Sequence, residues 1–71
     1  MTYNNLLSKL PTDSELHYLS DTDSEYHNEN YNYILFEYTT DWFPTLASLK
    51  SNNIEFIIKK DSFDLEYILI K

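Results

Sequence analysis

Apolar side chains at Tyr3, Leu6, Leu7 and Leu10 recur at the i, i+3, i+4, i+7 spacing of one helical face, which predicts a short amphipathic helix over residues 2–10. Thr2 is placed to cap its start, and Pro11 to end it. So short a helix is marginal alone and must dock on something. The pattern then changes period. ELHYLS, residues 15–20, reads as a strand, and the aromatic and β-branched run YNYILFEYTT, residues 31–40, as a stronger one. The polar stretch DTDSEYHNEN between them predicts a hairpin, either with this stretch as a long loop or with the strands extending into it to a turn near HNEN.

Asp41 is placed to cap a second helix beginning around Phe43, with Pro44 tolerated in its first turn. Phe43, Leu46, Ala47 and Lys50 run along one side of it, and Leu46, Leu49 and Asn53 along a neighbouring row. Asn52 and Asn53 are the residues best able to take the left-handed conformation that ends a helix. IEFIIKK, residues 54–60, and FDLEYILI, residues 63–70, predict a second hairpin that turns at Lys60, Asp61 and Ser62. Alternation places Ile54, Phe56 and Ile58 on one face of the first strand, and Phe63, Leu65, Tyr67 and Leu69 on one face of the second. The order is α-β-β-α-β-β. The expected fold is α+β: an antiparallel sheet of about four strands in two hairpins, the central helix packed on one face, and a short N-terminal helix.

The chain has 71 residues, which predicts a single domain over 1–71 with little room for a deep cleft unless two copies build one, so a homodimer stays open. There is no cysteine, hence no disulfide framework and no thiolate metal site. The opening MTYNNLLSKLPTD lacks a basic region followed by a long apolar run, and no stretch approaches a bilayer span. A soluble, cytoplasmic chain is the expectation. Glycine is absent, which rules out phosphate loops, dinucleotide turns and GxSxG elbows, all of which need glycine where backbone approaches a phosphate or carbonyl. Arginine, valine and glutamine are absent too, while asparagine, tyrosine, isoleucine and lysine are common, a bias associated with AT-rich genomes such as those of low-GC bacteria and their phages.

Charge changes the picture most. Between Leu10 and Leu49 lie eight acids, Asp13, Glu15, Asp21, Asp23, Glu25, Glu29, Glu37 and Asp41, and no lysine or arginine. From Lys50 onward, Lys50, Lys59, Lys60 and Lys71 balance Glu55, Asp61, Asp64 and Glu66, and with Lys9 the net charge is −7. Unopposed like charges repel across a small fold, a cost that solubility alone does not require. Interleaved with them are Tyr18, Tyr26, Tyr31, Tyr33, Tyr38 and Trp42. Spaced carboxylates beside flat aromatic groups are what a nucleic-acid-binding groove expects of its ligand, and tyrosine and tryptophan dominate interface hot spots. The contact residues expected on this ground are Asp13, Glu15, Asp21, Asp23, Glu25, Tyr26, Glu29, Tyr31, Tyr33, Glu37, Asp41 and Trp42. The alternative is an ordinary acidic domain whose tyrosines face its own core.

Other chemistries are weaker. Asp21, Asp23 and Glu25 open like a calcium loop, but its sixth position is Tyr26 in place of glycine and its twelfth is Asn32 in place of a bidentate glutamate. His17 and His27 with Asp21 or Glu29 would make a poor zinc or nickel set, and Ser20 or Ser24 beside either histidine offers nucleophile parts without a cleft. Lys50, Lys59 and Lys60 read as edge protection more than as a phosphate site, and five lysines against twelve acids disfavour direct nucleic-acid binding. No catalysis, metal or cofactor is expected. In size, charge and composition the chain resembles the small acidic proteins with which phages and mobile elements disable host defences, including anti-CRISPR and anti-restriction proteins that mimic DNA. That resemblance implies an inhibitor of a basic, nucleic-acid-binding host protein. The alternative partner is a basic toxin nuclease, neutralised by an immunity or antitoxin protein.

Overall fold

The computed structural model describes residues 2–12, 14–39 and 41–71, the side chain of Thr39 excepted. Its regular elements are α1 (Tyr3–Ser8), β1 (His17–Tyr18), β2 (Tyr33–Phe36), α2 (Trp42–Ser51), β3 (Phe56–Lys60) and β4 (Glu66–Ile70), with single 3-10 turns at Leu19–Asp21, Ser24–Tyr26 and Glu37–Thr39. The strands form one antiparallel sheet in the order β1-β2-β4-β3. This is the expected α+β architecture of four strands, one main helix and a short N-terminal one.

Both helices lie on the same face. Tyr33, Leu35, Ile68 and Ile70 of the central strands join Leu6 and Leu10 from α1 and its end, Leu16, Leu49 of α2, and Ile54 in one cluster. Tyr3 pins α1 over β1, because its hydroxyl donates to the Leu16 carbonyl at 2.7 Å. Thr2 caps α1 as expected, accepting from the Asn5 amide. Asp41 holds the cap position of α2, but its side chain makes no capping hydrogen bond. A capping side chain bonds the amide two or three places on, and the third place here is Pro44, which has none. The far end closes as the asparagines predict: Asn53 sits at φ 55°, and the Asn53 and Ile54 amides donate back to the Lys50 and Leu49 carbonyls at 3.2 and 3.0 Å.

Along α2, Thr45 and Leu49 are buried, Trp42 and Leu46 pack beside them, and Phe43 is 88% exposed. Two expectations need correction. Phe63 and Leu65 are not strand residues on a buried face. The β3–β4 connection is a longer loop, in which the Asp61 carboxylate accepts the Phe63 and Leu65 amides at 2.9 and 3.0 Å and Asp64 takes φ 65°. Phe63 is left 80% exposed. Finally, β4 has two buried faces, since it lies between β2 and β3 and Tyr67–Ile70 are all buried. The uninterrupted run YILI suits such a central position.

What covers the second face is the polar connection. Leu19, Ile34, Tyr67 and Leu69 form a second cluster, closed by Tyr26, Tyr31, Phe36 and Ile57. Residues 19–31 therefore fold back across the sheet and do not stand out as a hairpin loop. For the same reason β1 shrinks from the expected 15–20 to His17–Tyr18, as the chain turns at Leu19 to place that side chain beneath the sheet. Both edges are blunted, one by the brevity of β1 and the other by Lys59 and Lys60 on β3. The radius of gyration is 11.2 Å.

Thr45 is fully buried on α2, and its hydroxyl has no hydrogen-bond partner. An unpaired buried hydroxyl costs on the order of 1–3 kcal/mol. Thr45→Val keeps the shape and the β-branch while removing that group. It is expected to raise stability by about 1 kcal/mol in urea unfolding, and a loss of stability would show that the hydroxyl is satisfied.

Candidate functional site: an acidic segment folded over the sheet

The expected contact residues divide into two populations. Glu15, Asp21, Asp23, Glu25, Glu29, Glu37 and Asp41 are all exposed. Asp13 lies outside the described residues. The two ion pairs among the described residues, Lys60–Asp64 at 3.5 Å and Lys71–Glu55 at 2.8 Å, both use carboxylates from the charge-balanced end of the chain. The seven described acids between Glu15 and Asp41 thus face solvent without a cation beside them.

The aromatic members fare differently. Tyr33 is buried in the helix-face core, and Trp42 packs against the same cluster. Tyr26 and Tyr31 close the second face. Tyr26 sets its ring edge-on to Phe36 and Tyr67, with centroids 5.2 and 4.9 Å away. These side chains shape the surface from below, and the aromatic area offered to solvent comes from elsewhere. Tyr38, 72% exposed, stacks on Phe36 at 5.4 Å, and Tyr18, 46% exposed, stacks on Tyr3 at 5.0 Å. Alternation puts Tyr38 on the face of Ile34 and Phe36, opposite Tyr33, and because the chain leaves the sheet at Glu37 the later ring is exposed.

The acids do not form one stripe. Glu25 and Glu37 come together with the start of β4 and the β3–β4 loop: the Ser62 hydroxyl donates to Glu25 at 3.4 Å, and the Glu66 amide to Glu37 at 3.3 Å. Asp61 joins them, accepting the Tyr26 hydroxyl at 3.4 Å. Asp61 was not among the expected contact residues, because in the sequence it reads only as part of a turn. Burial, and then the negative charges of Glu25 and Asp61, raise the affinity of both the Tyr26 and Tyr67 hydroxyls for their protons. Lys71 likewise holds its proton more tightly, through its hydrogen bond with Glu55.

Glu29 lies at the opposite end of the strands, where residues 18–20, 27–29 and 31–33 line an open groove of about 640 Å³. His27 Nε2 lies 2.9 Å from the Thr22 carbonyl, which can only accept, so that nitrogen carries the hydrogen and is engaged there and not on Ser20. His17 is exposed, with its ring 5.7 Å from that of Phe36. Among the described residues no group of three His, Cys, Asp or Glu side chains could hold a metal ion, and no helix is long and apolar enough to cross a membrane.

Comparison with protein-family models, with curated proteins and with solved structures finds no match to this chain.

Proposed function

We propose that this chain is a non-catalytic acidic inhibitor of the kind used by phages or mobile elements against host defences, cytoplasmic in the host cell, which blocks the nucleic-acid-binding groove of a basic protein. The observation that carries the reading is the set of seven exposed carboxylates on Glu15–Asp41, none of them in an ion pair, while every ion pair among the described residues lies outside that segment. A surface of this sign repels DNA and attracts what binds DNA, and long-range attraction accelerates the encounter. Tyr38 and Tyr18 supply exposed ring area beside it.

The reading is tested by displacement. A labelled duplex bound to a candidate defence effector should be released by the chain in near-stoichiometric amounts at 50 mM salt, and much less at 500 mM, where screening shortens the reach of charge to a few Å. The double variant Asp21→Lys with Asp23→Lys should lose on the order of a hundredfold in potency with an unchanged circular dichroism spectrum, since close charge pairs at interfaces are worth about 1.5 kcal/mol or more each and both side chains are exposed. Displacement that ignores salt and survives the charge reversal would overturn the proposal.

A further inference from the structure

The groove beside Glu29 has a composition that selects its ligand. It is lined by Tyr18, Tyr31 and Tyr33, by Ser20, His27, Asn28 and Asn32, and by one formally charged acid, Glu29; no lysine is among the lining residues, and Lys71, close enough to Tyr31 to interact with it, is held by Glu55 at 2.8 Å. Its walls belong to the segment that also carries Asp21, Asp23 and Glu25 without any cation. The site is firmly built. Tyr18 is stacked on Tyr3 and lies 5.7 Å from Tyr33, the Leu19 amide donates to the Asn32 carbonyl at 2.8 Å, and the Asn32 amide donates to the Ile70 carbonyl at 3.0 Å. The turn at its rim is fixed by the Tyr31 amide on the Asn28 carbonyl and the Asn30 amide on the Asn28 side chain.

The geometry points to this groove as the receptor for an arginine side chain of the basic partner, an assignment that rests on the function proposed above. A guanidinium is planar, always charged and only donates hydrogen bonds; it stacks on aromatic faces and pairs with a carboxylate. The exposed Tyr18 ring and the single Glu29 carboxylate, both lining the groove, provide those two things together, and cation–π attraction adds to the ion pair. A lysine, a compact and strongly hydrated charge, uses the rings less well. An anion meets Glu29 and the surrounding negative segment and is repelled. At about 640 Å³ the groove is roomy enough for the residues that flank the arginine as well.

The full chain, ¹⁵N-labelled at low salt, would be titrated with the peptide acetyl-Gly-Arg-Gly-amide and with its lysine counterpart. The arginine peptide is expected to shift amides 18–20 and 27–33 saturably and to bind about threefold more tightly than the lysine peptide. Glu29→Gln should weaken it about threefold, Glu29→Asp should recover most of that loss, and Asp64→Asn, at the Lys60 ion pair, should leave it unchanged. Shifts scattered over all the acids, equal binding of the two peptides, or indifference to Glu29→Gln would each overturn the assignment. The assay contains neither DNA nor partner, so the two proposals fail separately. Displacement of DNA by a chain that ignores the peptide removes the groove alone, and arginine capture without displacement removes the inhibitory function alone.

Discussion

Leu69→Ala is expected to remove about 2–5 kcal/mol of folding free energy, against a total of about 4–10 kcal/mol for a chain of this length. Leu69 is 1% exposed on the central strand β4, where it lies in register with Ile34 on one side and Ile57 on the other, in the cluster that also holds Leu19. Truncation leaves a cavity that three rows of sheet cannot collapse into, because their backbones are tied by the ladder. The damage should also be local before it is global. Residues 19–31 have few regular hydrogen bonds and are held to the sheet through Leu19, Tyr26 and Tyr31, so amide exchange there should accelerate more than in α2. Leu65→Ala, at a 44% exposed position in the β3–β4 loop, is the control and should cost under about 1 kcal/mol. Equal midpoints for the two variants in urea would refute the central placement of β4.

A second effect is expected in alkali. Tyr26 and Tyr67 hold their protons more tightly in the folded state, first because burial disfavours the charged phenolate and then because Glu25 and Asp61 stand beside them. A proton held more tightly in the folded than in the unfolded chain makes the native state bind more protons in that window, so stability falls as pH rises there. The contribution is complete below the ordinary tyrosine value of about 10 and is lost progressively above it. Lys71, raised by Glu55, acts in the same direction. Thermal midpoints followed by circular dichroism should therefore be insensitive to these groups at pH 8–9.5 and fall progressively above about pH 10. Tyr26→Phe keeps the edge-on ring packing on Phe36 and Tyr67 and removes one ionisable hydroxyl, at the cost of the weak bond to Asp61. Its alkaline slope should be shallower, and an identical slope would mean that the segment 24–26 leaves the sheet before either phenol ionises.

The two regions differ in what could be read from residue order. The helices, the four strands and the asparagine stop of α2 were legible, because each rests on neighbours three or four places apart or on the conformational tolerance of one side chain. Phe63 and Leu65 were placed on one face of a strand and are exposed residues of a loop. Alternation reports that a residue has one of two orientations, and it does not say where the strand stops or which side of a helix meets the sheet. The Asp61 carboxylate, by gathering the Phe63 and Leu65 amides, ends the strand pattern where the apolar spacing continues.

The candidate site shows the same division. Its charge was legible, since a run of acids without lysine between Leu10 and Leu49 needs no coordinates to count. Its aromatic half was not: of the expected contact rings, Tyr33 is core, and Tyr26, Tyr31 and Trp42 support it, while Tyr38 and Tyr18 carry the exposed area. Residue order by itself determined the sign of the surface and the kinds of element, because charge is additive and helix and strand periods are local. Only the tertiary structure decided that the acidic connection folds back over the second face of the sheet, that Glu25 and Glu37 meet Asp61 at one end while Glu29 lines a groove at the other, and which tyrosines reach solvent. Those outcomes depend on contacts between residues such as Tyr26 and Tyr67, far apart in the chain and brought together only when both faces of β4 are buried.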